Sequence, residues 1–262
     1  MCILCLALAT RLRPTATKGC DRLESRSPYR VARLGLVAAV LASILSPSAA
    51  EPRPRKRHLP PDLAEIVKHM DDAAGRLNTL SADLEYTKFT AVVSDKSTQQ
   101  GQFFFHKGKP PEVKIEFKSP DARTILVKKN EAQMYLPKTN QIQVYELGPR
   151  GELMQQFLLL GFGSEVAKLK KDYGIKLIGE EDLSGDTTAV LELTPRKDSV
   201  ASKLTKVQLW ISEESWLPVQ QKFFEPSGDY ATALYSAVRV NRRLDSGTFE
   251  IHASGAKRVK MQ

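Results

Sequence analysis

Four histidines, His58, His69, His106 and His252, are the side chains best suited to general acid–base work or metal ligation. No two of them are spaced as ligands carried by one element would be. The chain contains no G-x-x-x-x-G-K-[ST] loop, no G-x-G-x-x-G turn, no H-E-x-x-H pair and no G-x-S-x-G elbow. Gly161-Phe162-Gly163-Ser164 has the outline of a phosphate loop but lacks the lysine and follows a leucine run, so it reads as a hinge. Glu180-Glu181-Asp182 offers carboxylates for proton transfer or calcium, yet it lies where a hairpin turns toward Gly185, and a charge run there reads as a solvated turn. The expectation is a protein that is not an enzyme and that holds neither a metal nor a cofactor.

Large apolar side chains at alternate positions are plentiful instead: Leu84 and Tyr86, Phe103 and Phe105, Ile115 and Phe117, Met134 and Leu136, Ile175 and Leu177, Leu191 and Leu193. In a strand such residues share one face. That face either packs on helices as an ordinary core, the commoner use, or lines a shelter for an apolar ligand. Residue types alone leave both open.

The elements that carry these residues follow from periodicity. Asp62 is placed to cap a helix with Glu65 three positions on, and Leu63, Ile66, Val67, Met70, Ala74 and Leu77 recur at helical spacing. From Ser81 the period becomes two. Strands are predicted at 82–93, 100–107, 113–118, 123–128, 132–136 and 142–147, separated by turn residues that suit short antiparallel connections. Residues 151–171 break the alternation and read as two short apolar helices hinged at Gly161-Phe162-Gly163. Strands resume at 175–183, 187–193, 205–212, 217–224, 230–240 and 248–252. Helices confined to the start and middle of a strand-rich chain describe an α+β domain rather than a βαβ series.

Ahead of this domain, Arg30 and Arg33 precede an apolar run from Leu34 to Leu45 that ends in Ser46-Pro47-Ser48-Ala49-Ala50. Twelve apolar residues are short for a span that needs about 20, and the small residues suit signal peptidase, so residues 1–50 read as a signal peptide cleaved after Ala50. A retained anchor is the alternative. The stretch before Arg30 is long for a signal peptide's charged lead, which keeps a translation start near Val31 as a second possibility. Residues 51–61, EPRPRKRHLPP, read as an extended linker, and 62–262 as the folded domain. Cys2, Cys5 and Cys20 all precede the cleavage site, so the mature chain would carry no thiol and no disulfide. No cysteine follows the apolar run as a lipidation site would require. The net charge of +9 is unevenly spread, with seven basic and two acidic residues in 1–50 and four more cations in 53–57. From His58 onward the chain is nearly neutral, which argues against nucleic acid as a partner.

Several segments, taken in order, resemble the LolA family of periplasmic lipoprotein carriers and related lipoprotein-sorting proteins. They are Leu77-Asn78-Thr79-Leu80-Ser81-Ala82-Asp83-Leu84, Gly101-Gln102-Phe103-Phe104-Phe105, Phe117-Lys118-Ser119-Pro120, Ile125-Leu126-Val127 and Met134-Tyr135-Leu136-Pro137, then Trp216-Leu217-Pro218, Pro226-Ser227-Gly228, Val240-Asn241 and Phe249-Glu250-Ile251. The resemblance implies an antiparallel eleven-stranded β half-barrel, an open curved sheet with a lid of short helices. It also implies a monomeric periplasmic carrier that receives lipoprotein acyl chains from an inner-membrane ABC transporter and delivers them to an outer-membrane receptor. Under it, the alternating apolar residues above, with Met154, Phe157, Leu158, Leu159, Leu160 and Phe162, line the acyl cavity and its lid, and Gly161 and Gly163 let the lid swing. Two departures stand out. The family's arginine before the proline that follows the second strand, which helps hold the lid, is replaced in Lys107-Gly108-Lys109-Pro110, leaving Lys107 and Lys109 as latch candidates. His252-Ala253-Ser254-Gly255 also lacks the usual proline. Other readings of the same fold are a lipoprotein-sensing regulatory protein and a structural envelope protein.

Overall fold

A computed structural model of the chain describes residues 61–128, 130–148, 158–162 and 166–261. The expected signal peptide lies outside the described residues, as do all but Pro61 of the expected linker, and so do Met154, Phe157 and Gly163.

The opening helix α1 (Leu63–Arg76) forms where the periodicity places it, and the Asp62 carboxylate accepts the Glu65 N–H at 2.8 Å. That bond satisfies one of the first-turn donors that a helix leaves unpaired. Ile66, Val67, Met70, Ala73 and Ala74 form its buried stripe. Asn241 fastens the far end. Its amide donates to the Arg76 carbonyl at 2.8 Å, and its side-chain oxygen accepts from the Asn78 N–H at 2.7 Å.

Twelve strands follow: β1 (Thr79–Thr90), β2 (Asp95–His106), β3 (Glu112–Ser119), β4 (Arg123–Lys128), β5 (Glu131–Leu136), β6 (Gln141–Glu146), β7 (Tyr173–Leu183), β8 (Asp186–Pro195), β9 (Lys206–Ser212), β10 (Pro218–Phe224), β11 (Tyr230–Val240) and β12 (Lys257–Met261). They make one open, curved sheet in the order β12-β6-β5-β4-β3-β2-β1-β11-β10-β9-β8-β7. Short helices α2 (Val166–Asp172) and α3 (Asp198–Ala201) interrupt the series. Register shifts at Ser81/Asp83, Gln100/Gly101, Leu177/Gly179 and Pro218/Gln220 add the local twist that coils such a sheet. Gly101 is required at its shift, because a Cβ there would lie 2.2 Å from the Glu116 carbonyl oxygen.

Three expectations are corrected. The sheet has twelve strands rather than eleven. No strand forms at 248–252, where Thr248 N–H bonds the Asp245 carbonyl at 2.9 Å and Glu250 N–H bonds the Gly247 carbonyl at 3.1 Å in tight turns. The last strand is β12, and it pairs β6 in parallel, so the sheet is not wholly antiparallel. β12 is an edge strand of mostly exposed, charged residues held by main-chain bonds, which leaves no apolar alternation to read. The acidic run is exposed and leads into the hairpin between β7 and β8. Glu180, Glu181 and Asp182 belong to β7, and Glu181 accepts the Trp210 indole N–H at 2.7 Å, so only Asp182, bonded to Gly185 N–H, serves the turn.

Candidate functional site

On the concave side, alternation sends Leu80, Ala82, Leu84 and Tyr86 of β1 inward, and the register carries the same face across the sheet. Opposite them stand Phe103 and Phe105 of β2, Ile115 and Phe117 of β3, Ile125 of β4 and Met134 of β5. All are buried, Phe103 and Phe105 at 1% exposure. They pack with Leu158, Leu159 and Phe162 in one cluster, to which half-buried Leu136 adds. Phe162 is fully buried, its ring stacked 5.7 Å from Phe103 and edge-on to Tyr235 at 5.0 Å. Such aromatic pairs contribute roughly 0.5–1.5 kcal/mol beyond their buried area.

The expected cavity residues thus divide. Leu160, Leu191 and Leu193 fall in a second cluster with Ile66, Val67 and Met70 of α1, and half-buried Ile175 and Leu177 pack against it. Helix α1 occupies that half of the concave face as a conventional core. The half formed by β1 to β5 and β11 is covered among the described residues by Leu158, Leu159 and Phe162 and by Ala73 and Leu77 at the end of α1. Candidate lid and candidate cavity wall meet there.

The segment Leu158–Phe162 turns through Gly161, whose φ of +87° favours glycine and whose added Cβ would meet Pro218 Cγ at 3.1 Å. Phe162 N–H closes the turn onto the Leu159 carbonyl at 2.9 Å. A side chain overlooked in the sequence holds the segment down. Gln221, 2% exposed on the inner face of β10, donates its amide to the Leu160 carbonyl at 2.6 Å and accepts from the Tyr235 hydroxyl at 3.0 Å. Burial pushes the Tyr235 hydroxyl far above its ordinary pKa, keeping it a neutral donor. The clue was present in β10: Phe223 faces inward, so Gln221, two residues earlier, must face inward too.

The latch candidates Lys107 and Lys109 do not meet this segment among the described residues. Lys107 Nζ donates to the Ala74 carbonyl at 2.9 Å and the Gly75 carbonyl at 3.3 Å, where it complements the negative end of α1. Lys109 is exposed in the loop between β2 and β3.

Polar groups also stand at the edge of the apolar cluster. Arg123 of β4 faces inward opposite Phe117, with its guanidinium carbon 4.4 Å above the Phe117 ring. Its Nη2 donates to the Gln99 side-chain oxygen and Nη1 reaches the Asp121 carbonyl at 3.5 Å. Burial pulls its pKa down, against the opposing influence of Asp121 and Tyr86. Toward the other end of these strands, Tyr145 donates to Gln143 at 2.8 Å. His106 and Lys128 both engage Glu112, at 3.2 and 2.7 Å. Burial raises the Glu112 carboxyl, but the bonds and charges of Lys128 and His106 outweigh it and hold the group below its ordinary 4.5. No group of three or more His, Cys, Asp or Glu suited to a metal ion occurs among the described residues. No helix among them is long and apolar enough to cross a membrane.

A family model described only as that of an uncharacterized protein matches residues 113–240. No curated protein matches the chain. Among solved structures, an uncharacterized conserved protein from Thermus thermophilus is similar with a TM-score of 0.50 and 13% identity, covering 76% of this chain and 98% of that one. The Mycobacterium tuberculosis lipoprotein LppX matches with a TM-score of 0.44 and 14% identity over 69% of this chain and 96% of that one. A LolA superfamily protein from Nitrosomonas europaea matches with a TM-score of 0.36 and 17% identity over 72% and 97%. The likeness to the Thermus protein is one of fold, and the open curved sheet is the architecture that the LolA resemblance implies.

Proposed function

We propose that the protein is a non-catalytic carrier that shelters acyl chains between the β1–β5 and β11 half of its concave face and the segment Leu158–Phe162. The observation that carries this reading is the way the cover is held. A largely apolar surface is closed by a segment to which the buried Gln221 amide bonds, and a cover packed on apolar surface can give way to an acyl chain without dismantling the sheet. Each buried methylene contributes about 0.8 kcal/mol, so a twelve-carbon chain resists leaving a membrane by roughly 10 kcal/mol. A carrier must offer comparable apolar surface and then yield it. Leu84, Tyr86, Phe103, Phe105, Ile115, Phe117, Met134 and Leu136 are the proposed wall. Leu158, Leu159, Leu160 and Phe162 are the proposed lid, to which Met154 and Phe157 belong on the sequence reading.

The same proposal places the protein in the periplasm as a monomer, exported by cleavage after Ala50. It would receive acylated lipoprotein or lipid from an inner-membrane ABC transporter and pass it to an outer-membrane receptor. These finer steps rest on the sequence resemblance. Mass spectrometry of organic extracts from protein purified from its native envelope, with binding of a fluorescent acyl probe, tests the reading. Co-purified acyl lipid and saturable probe binding support it. Absence of both assigns the fold a structural role. N-terminal sequencing of secreted material should read EPRPRK.

A further inference from the structure

We propose that Arg123 is the head-group subsite of this shelter, taking the acidic head of an acyl-bearing ligand, a carboxylate or a phosphate, while the chain lies along the apolar face. The inference rests on the acyl-shelter reading and narrows it to anionic amphiphiles.

Two cations are buried among the described residues, Lys114 and Arg123. Lys114 has its counter-ion, Glu116, at 2.7 Å. Arg123 is 8% exposed, and among the described residues no carboxylate lies within ion-pair distance of it. The acid next but one to it in the chain, Asp121, is engaged by Lys138 at 2.6 Å. The acceptors Arg123 has among the described residues are neutral, the Gln99 amide oxygen and a long contact to the Asp121 carbonyl, and its buried Nε has no partner among them. A lysine in such a place would shed its proton. Arginine stays charged, so its positive charge persists on an apolar wall, bonded to neutral oxygens and set against the Phe117 ring face, with Asp121 acting on it only from beyond ion-pair distance. A buried charge of this kind is stabilised most by an anion with its own bonds satisfied. The guanidinium edge carrying Nε and Nη2 matches a carboxylate or phosphate in a two-point fork, in which one oxygen accepts from Nε and the other replaces Gln99.

Its position suits an amphiphile. Gln99 and Asp121 are half-buried, which puts the guanidinium at the margin of the wall. The Phe117 ring below it leads to Tyr86, 6.1 Å away, and on to Ile115 and Met134. A head at Arg123 therefore directs a chain onto the proposed wall.

The test measures binding of palmitate, a palmitoyl lysophosphatidate and methyl palmitate to the mature protein, to R123Q and to R123K. Methyl palmitate has the same chain and no charge. In the wild type at least one acidic ligand should bind about tenfold or more tighter than the ester, and which one does so identifies the head. R123Q should erase the difference, and R123K, whose side chain sheds its proton in this place, should erase most of it. If the wild type binds all three alike, the subsite is refuted while the shelter stands. If none binds, both readings fall. The wild-type comparison needs no variant, so a failure of R123Q to fold leaves the answer intact.

Discussion

Replacing Gln221 with leucine separates a latch from a packed core. Leucine is of similar size and takes away two bonds at once, the donation to the Leu160 carbonyl at 2.6 Å and the acceptance from Tyr235 at 3.0 Å. Both partners are buried, and a buried polar group left unpaired costs about 1–3 kcal/mol. The closed arrangement therefore loses roughly 2–6 kcal/mol, less whatever the leucine recovers by apolar contact. If Leu158–Phe162 swings as a unit, the protein escapes that loss by local opening, and the cost to global stability stops at the free energy of closing the segment. Hydrogen exchange at the Phe162 amide reports the opening through lost burial, because its bond to the Leu159 carbonyl at 2.9 Å lies within the segment and meets water only once the segment leaves the sheet. A loss of about 2 kcal/mol lowers its protection about thirtyfold, with a smaller change in global stability from urea melting and faster uptake of an acyl probe. The milder Tyr235→Phe keeps the Gln221 bond to Leu160 and should lower protection by about tenfold or less. The reasoning is refuted if Gln221→Leu costs the full amount in urea while Phe162 still exchanges only through global unfolding, because the segment would then be core.

Leu159→Asp should abolish acyl-probe binding at modest cost in stability, whereas Leu191→Asp, buried against α1 in the second cluster and outside the segment, should destabilise the domain by several kcal/mol. Urea midpoints and probe titrations of both variants check this contrast, and equal behaviour of the two would contradict it. Lys107→Ala should lower stability by about 1 kcal/mol through the lost bonds to the α1 carbonyls and leave probe binding unchanged; a change in probe affinity would return Lys107 to the lid. Glu112, held below 4.5 by Lys128 and His106, contributes stability that is complete above that value and is lost as pH falls through its lowered folded pKa. Urea midpoints should decline below about pH 4.5, less steeply in Glu112→Gln than in wild type, and identical acid slopes would show that the pairing carries no linkage.

Local pattern was enough for the secondary structure wherever a residue's neighbours decide its place. The Asp62 cap and its helix, the strand bounds Arg123–Lys128 and Tyr230–Val240, and the oily face from Leu84 to Leu136 all follow from period and turn chemistry, because one half-buried face imposes alternation on its own strand. Even the inward glutamine of β10 was legible by parity, though its purpose was not. What required the tertiary structure depends on which distant segments meet. Strand β12 pairs β6 through main-chain bonds that any side chains permit. Lys107 reaches carbonyls more than 30 positions back, at the end of α1, rather than a lid. Helix α1 claims Leu191 and Leu193 for a core and leaves Phe103 and Phe117 to pack with Leu158, Leu159 and Phe162. Arg123 carries its charge on the inner face with no carboxylate within ion-pair distance among the described residues, since its face is set by pairing with Phe117 and its surroundings by how β2, β3 and β4 close over it. Side-chain type records how much apolar surface a strand must bury. The closure of the chain alone decides what that surface is buried against.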